Sequence, residues 1–207
     1  MPTHKILTSS RQFRQHYAQR REFFQRLARE GQSPEVLFVA CSDSRMVPEL
    51  ITCAQPGDLF VLRHVANIVP PLGTGNVGTA AVIEYAVLIL QVKHIVICGH
   101  TDCGGIRALN VPLDWSRTSH IARWLEHARP ALAKVEATGL PAEERHLTTV
   151  RENVLLQLEH LRSYHPVREG ERASRLTLHG WVYHLETGSI AAHEAKTGAW
   201  RPLESST

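Results

Sequence analysis

The sequence lacks any uninterrupted apolar run of about 18 residues, the length that a membrane-spanning helix needs. The N-terminal stretch MPTHKILTSSRQF lacks the apolar core of a secretion signal. The chain also lacks a large excess of either charge, because it has 23 basic and 20 acidic residues. We therefore expect a cytoplasmic protein with neither a membrane nor a nucleic acid as partner.

Cysteine is scarce. The chain of 207 residues has four cysteines, at positions 41, 53, 98 and 103. In a cytoplasmic protein of this length, cysteines are more often reduced, and then buried or bound to a metal, than paired as disulfides. The length itself suits one compact domain with a sizeable core, with or without helical arms.

Hydrophobic periodicity predicts an α/β fold with a central, mainly parallel β-sheet flanked by helices. A short apolar run that begins at Val36 is typical of a strand buried on both faces, and runs that begin at Leu59 and His94 predict a second and a third strand. Residues 174–195 predict a C-terminal β-hairpin that extends the sheet. Helices are predicted over residues 9–30 (an amphipathic N-terminal arm), from Thr79 (apolar nearly all round, hence buried), and over 116–137 and 143–163.

Residues capable of binding a metal follow two of the predicted strands. Cys41 ends the first strand in FVACSDSRMVPEL, and His100 and Cys103 follow the third in ICGHTDCGG. The carboxyl ends of parallel strands meet at one edge of a sheet, so these residues are expected to lie close together. Two thiolates and one imidazole suit Zn²⁺, and three protein ligands leave the fourth position open, as in catalytic zinc sites.

Each motif by itself is weak. A cysteine that ends a strand is more often a small core residue, and H-x-x-C occurs in loops without a metal. Cys53 and Cys98 keep that ordinary interpretation, whereas the coincidence of Cys41 with His100 and Cys103 favours a metal site. A closed, structural zinc site remains an alternative, and it would need Asp43 as a fourth ligand.

The combination of C-x-D-x-R with H-x-x-C resembles the β-class carbonic anhydrases, and the likeness covers nearly the whole chain. It includes the stretches PGDLFVLRHVANIVPP, AAVIEYAVLILQVKHIVICGHTDCGGI and LHGWVYHLETGSI. The resemblance implies one Zn²⁺ per subunit and reversible hydration of carbon dioxide to bicarbonate and a proton, by attack of zinc-bound hydroxide. The alternative is a carbonyl sulfide or carbon disulfide hydrolase on the same scaffold.

The resemblance also assigns roles to individual residues. Asp43 and Arg45 are the catalytic pair, in which Arg45 keeps Asp43 off the metal in the active form. Without the resemblance, the same two residues could be an exposed pair in a turn. Substrate-binding positions are Gln32, Phe60, Tyr85 and Gly104, although Phe60 and Tyr85 taken alone would be interpreted as core residues.

We predict that residues 1–207 form a single domain and that the helical arm of residues 1–31 is involved in dimerisation. We expect a homodimer or homotetramer, or a larger assembly.

Two positions depart from the family pattern. Phe38 stands where some bacterial members have a Trp used in bicarbonate regulation, and His64 stands where Asn is usual. We expect no such regulation, and His64 is either a packed polar residue or a proton relay.

Overall fold

The structure is a computed structural model that describes residues 2–112 and 114–203, and the chain divides into two compact units between Ser33 and Pro34. The first unit contains α1 (Pro2–Gln19) and α2 (Arg21–Glu30). The prediction of one helix over residues 9–30 is therefore wrong, because α1 begins earlier and the helix is interrupted at Arg20. Arg20 has φ −118° and ψ 31°, outside the helical region, and the rings of Tyr17 and Phe24 stack at 4.9 Å across this break.

The second unit alternates strands and helices, as predicted for an α/β fold. Its strands are β1 (Val36–Cys41), β2 (Leu59–His64), β3 (His94–His100), β4 (Thr177–Tyr183), β5 (Ile190–Glu194) and β6 (Ala199–Pro202). Its helices are α3 (Pro48–Ile51), α4 (Val77–Glu84), α5 (Gly104–Ala108), α6 (Trp115–Leu125), α7 (Arg129–Glu136), α8 (Ala142–Ser163) and α9 (His165–Arg172). Among the described residues, no helix is both long and apolar enough to cross a bilayer.

The six strands form one sheet in the order β2-β1-β3-β4-β5-β6. The pairs among β2, β1, β3 and β4 are parallel, and the C-terminal pairs β4–β5 and β5–β6 are antiparallel. The parallel core and the C-terminal hairpin are thus confirmed. This topology places the carboxyl ends of β1 and β3 next to each other, where Cys41 and His100 stand.

Apolar residues cover both faces of the central strands. Alternate residues of β1 and β3, among them Val39 and Ile97, belong to the main core, while Phe38 and Val96 form a smaller cluster on the opposite face. Since side chains alternate between the faces of a strand, a continuous apolar run is what a strand buried on both sides requires. The prediction for β1 is therefore confirmed.

Two predicted helices differ from the structure. The helix from Thr79 is not fully buried: α4 continues into a π-helical turn over Tyr85–Ile89, and Leu88 and Ile89 are 57% and 65% exposed. An all-round apolar pattern does not distinguish burial in the core from burial against a second subunit. The helix predicted over 116–137 is divided into α6 and α7, and Pro130 stands at the start of α7, because proline disfavours a helix interior.

A buried polar network fixes the segment that follows β2. Ala66 and Asn67 have φ values of 57° and 48°, so this segment leaves the strand in a left-handed conformation. The Asn153 amide of α8 donates to the Ala66 carbonyl at 3.0 Å, and the Gln157 amide oxygen accepts from the Val69 N–H at 2.8 Å. Gln157 also donates to Asn153 at 2.9 Å. Every backbone group bound here is buried, so the network determines where the segment lies.

We predict that Gln157→Leu lowers the free energy of unfolding by about 1 to 3 kcal/mol, because it leaves the buried Val69 N–H without its acceptor. Chemical denaturation monitored by circular dichroism measures the change. Gln55→Leu, at an exposed position, is the matched control and should change the free energy of unfolding much less. Equal effects of the two substitutions would contradict the role given to the network.

Candidate metal centre

Three buried side chains converge at the carboxyl edge of the sheet. Cys41 is the last residue of β1, His100 is the last residue of β3, and Cys103 immediately precedes α5. Their ligand atoms all lie within 4.8 Å of one another. The two Sγ atoms are 3.9 Å apart, close to the roughly 3.8 Å expected for two thiolates on one tetrahedral zinc with Zn–S distances of about 2.3 Å. Among the side chains that the structure describes, no other group of three possible ligands occurs.

The imidazole of His100 is oriented for metal binding. Its Nδ1 lies 2.8 Å from the Thr101 carbonyl oxygen, to which only a protonated nitrogen can donate. The other nitrogen, Nε2, is then the one with a free lone pair, and it is buried without a hydrogen-bond partner. An unpaired buried nitrogen is costly, and a metal ion satisfies it. The site therefore fits zinc in its donor types, its spacing and its one unsatisfied atom.

The thiol of Cys41 is prepared for ionisation. Its contact with Cys103, together with the Asp43 N–H, lowers the pKa of Cys41. The Asp43 N–H donates to Cys41 Sγ at 3.4 Å. The other cysteines differ: burial raises the pKa of Cys98, and Cys53 is exposed. The interpretation as a small core residue is therefore confirmed for Cys98 and wrong for Cys53, and neither cysteine belongs to the metal-binding group.

The carboxylate of Asp43 lies beside the metal ligands but is paired with Arg45. Arg45 Nε donates to Oδ1 at 3.0 Å and Nη2 donates to Oδ2 at 2.7 Å, which is a bidentate ion pair. Hydrogen bonding from Arg45 holds the pKa of Asp43 well below its usual range. Asp43 Oδ2 is 3.9 Å from His100 Nε2, so the carboxylate is close to the ligand atoms while both of its oxygens are occupied.

Two further residues next to this pair had not been singled out from the sequence. Arg63, near the end of β2, donates to the Cys41 carbonyl oxygen at 3.0 Å and to the Asp43 carbonyl oxygen at 2.7 Å. Asp102, inside the H-x-x-C loop, accepts from Arg45 Nη1 at 3.0 Å. The available sequence signal for Asp102 is its place between the predicted metal ligands His100 and Cys103. Arg63 had none, because its partners are backbone carbonyls.

The predicted substrate-binding residues are only partly brought together. The rings of Phe60 and Tyr85 are stacked, with centroids 5.8 Å apart, and Tyr85 is partly exposed. Gly104 begins α5 next to Cys103, and apart from its chain neighbours and the backbone of its own helix, nothing lies within 4 Å of the point where its Cβ would be. Gln32 is an exposed residue of the first unit, and its role in substrate binding stays a prediction.

The side chains at the two positions that depart from the family pattern are packed against neighbouring residues. His64 Nδ1 lies 3.1 Å from the Ile68 carbonyl oxygen, its ring centroid is 5.0 Å from that of Trp124, and burial lowers its pKa. These contacts favour the packed interpretation of His64 over a proton relay. Phe38 is buried and its ring meets the edge of Trp181 at 5.9 Å.

Comparison with known proteins identifies the family. A family model described as Carbonic anhydrase matches residues 36–190, which is most of the chain. The chain belongs to the carbonic anhydrase family. A carbonic anhydrase of Pseudomonas aeruginosa is 45% identical over 177 residues, covering 85% of this chain and 80% of that protein. A carbonic anhydrase of Synechocystis is 36% identical over 194 residues, covering 92% of this chain and 70% of that protein.

Solved structures of β-carbonic anhydrases share the fold. The β-carbonic anhydrase CcaA superposes with a TM-score of 0.90 at 32% identity, covering 98% of this chain and 100% of that one. A tetrameric β-carbonic anhydrase of Sordaria macrospora superposes with a TM-score of 0.78 at 33% identity, covering 96% and 98%. This β-carbonic anhydrase is accordingly a zinc enzyme that hydrates carbon dioxide, and the comparisons lend no support to the carbonyl sulfide or carbon disulfide alternative.

We predict that Cys103→Ser lowers the zinc content of the purified protein well below one ion per chain, because a serine hydroxyl is a much poorer zinc ligand than a thiolate. Elemental analysis after dialysis measures it. Cys53→Ser replaces an exposed cysteine outside the metal group and should keep full zinc. Full zinc in the Cys103→Ser protein would refute this ligand assignment.

Proposed function

We propose that Cys41, His100 and Cys103 hold the zinc ion of this carbonic anhydrase, and that Asp43 and Arg45 control the open position beside it. The observation that carries the proposal is the arrangement of Asp43, whose Oδ2 is 3.9 Å from His100 Nε2 while Arg45 occupies both carboxylate oxygens. Zinc held by these ligands would supply the Lewis acidity that makes a water molecule nucleophilic toward carbon dioxide.

Asp43 and Arg45 then have complementary tasks. A carboxylate is ionised at neutral pH, and Arg45 lowers the pKa of Asp43 further, so Asp43 is an acceptor that can orient a hydrogen-bond donor in the open position. The guanidinium has a fixed, planar arrangement of donors that occupies both carboxylate oxygens and so competes with the metal for them. The pair therefore keeps the site catalytic, whereas Asp43 as a fourth ligand would close it.

Phe60, Tyr85 and Gly104 are proposed to line the substrate pocket, although within one chain Phe60 is in register with Leu37, four residues before Cys41. Carbon dioxide is small and has no charge, so an aromatic wall of Phe60 and Tyr85 suits it, and the open space at Gly104 leaves room next to Cys103. Gln32 is assigned to the same pocket by the family resemblance. The resemblance to the plant-type members of the family further implies that a dimer interface completes the pocket.

Assembly into a homodimer or homotetramer is the second part of the proposal. The Sordaria macrospora neighbour is described as tetrameric. In this chain, Tyr85, Leu88 and Ile89 expose apolar surface next to one another, as expected of a surface covered by a second subunit. We also propose that residues 1–207 function as one domain with residues 1–31 as a dimerisation arm. The four free cysteines fit a reducing, cytoplasmic location.

We predict that Asp43→Asn lowers kcat for carbon dioxide hydration by at least about 10-fold while zinc stays bound, because the amide lacks the ionised acceptor. Stopped-flow hydration assays on zinc-loaded protein measure it. Asp58→Asn, in an exposed turn, is the matched control and should retain activity. Unchanged turnover in Asp43→Asn would refute the role of Asp43, and no turnover in the zinc-loaded parent protein would refute the function itself.

We predict that Leu88→Glu shifts the protein toward smaller species, because it places a charge in the apolar surface assigned to the subunit interface. Sedimentation velocity measures the shift. Val111→Glu, at another exposed apolar position, is the control and should leave the sedimentation profile unchanged. A parent protein that sediments as a monomer would overturn the proposed assembly.

A further inference from the structure

The guanidinium of Arg45 is held from two sides. Its Nε and Nη2 atoms face Asp43, while Nη1 donates to the Asp102 carboxylate at 3.0 Å and Nη2 donates to the Asp102 carbonyl oxygen at 3.2 Å. Arg45 therefore bridges two segments, the one after β1 and the loop between His100 and Cys103. Contacts on both sides restrict the rotation that a long, exposed arginine otherwise has.

Asp102 is itself fixed. Its other carboxylate oxygen accepts from Arg107 of α5, and its backbone has a φ of 53°, a left-handed conformation that Asp adopts more readily than most residues. Asp43, Arg45, Asp102 and Arg107 thus form a chain of alternating charges. An isolated exposed ion pair contributes little, but a network with bidentate geometry restrains its members more strongly.

We propose that Asp102 is a positioning residue for the catalytic pair. It holds Arg45 in the one orientation in which the guanidinium occupies both oxygens of Asp43, and it thereby keeps the fourth zinc position open. This inference rests on the proposed roles of Asp43 and Arg45. Without the Asp102 side chain, Arg45 leaves Asp43 part of the time, and the Asp43 carboxylate, 3.9 Å from His100 Nε2, is close enough to approach the metal.

The decisive readout is the rate of zinc release from the zinc-loaded protein to an excess of chelator. If Asp102 acts as proposed, Asp102→Asn lowers kcat several-fold and slows zinc release several-fold, because the freed Asp43 adds a protein ligand. Damage to the metal loop would instead speed up zinc release. Asn also tolerates the left-handed backbone, so the substitution removes the charge without added strain. Zinc release that is unchanged or faster would overturn the proposal.

Asp102→Gly provides a second variant, since it removes the whole side chain and suits the positive φ, and it should slow zinc release at least as much as Asp102→Asn. Glu126→Gln is the matched control, because Glu126 and its partner Arg129 are each 46% exposed, close to the 47% of Asp102 and 48% of Arg45. The control should change neither kcat nor zinc release.

A double-mutant cycle with Asp43→Asn shows whether Asp102 acts through Asp43. In the Asp43→Asn background, replacing Asp102 should no longer slow zinc release, because the ligand that would be freed is absent. A slowing that persists in that background would overturn the proposal. Zinc release does not depend on turnover, so this comparison remains informative even if the parent protein fails to hydrate carbon dioxide, which would contradict the proposed function instead.

Discussion

The parallel pairing of β1 with β3 is the constraint on which the metal centre depends. The register aligns Val36 with His94 and continues to Ala40 and Cys98, so both strands end at the same edge of the sheet. Because apolar side chains are packed on both faces of these strands, a shift of one residue would exchange the side chains of the two faces and disrupt that packing. The energy that fixes the register is therefore hydrophobic, and its consequence is that a thiolate and an imidazole meet at one point.

Around that point, hydrogen bonds and charge set the state of each ligand. The Thr101 carbonyl selects the tautomer of His100, and the contact between Cys41 and Cys103 favours a thiolate at Cys41. Two thiolates cancel the charge of a divalent ion. The charged groups around the site therefore determine what occupies the fourth, open position of the zinc. Arg45 binds the nearby Asp43 carboxylate in two places, and Asp102 and Arg107 extend the same charge pattern outward.

Much of this could be predicted from the sequence, for identifiable reasons. Continuous apolar runs predict buried parallel strands, and the fold then brings Cys41 together with His100 and Cys103. A residue pattern within one segment of the chain does not predict the contacts that this segment makes with a distant one. The break at Arg20, the exposed Leu88 and Ile89, and the contacts of Arg63 all depend on packing or on partners far along the chain. Asp102 shows the same limit, because its partner Arg45 lies 57 residues away.

The most direct test of the account is the coordination of zinc in the purified protein, measured by X-ray absorption at the zinc edge. Ligation by Cys41, His100 and Cys103 predicts two sulfur neighbours at about 2.3 Å and two lighter neighbours at about 2.0 to 2.1 Å, with the multiple-scattering pattern of one imidazole. A shell with one sulfur, with three or more sulfurs, or without imidazole would contradict the metal centre from which the proposed function is built.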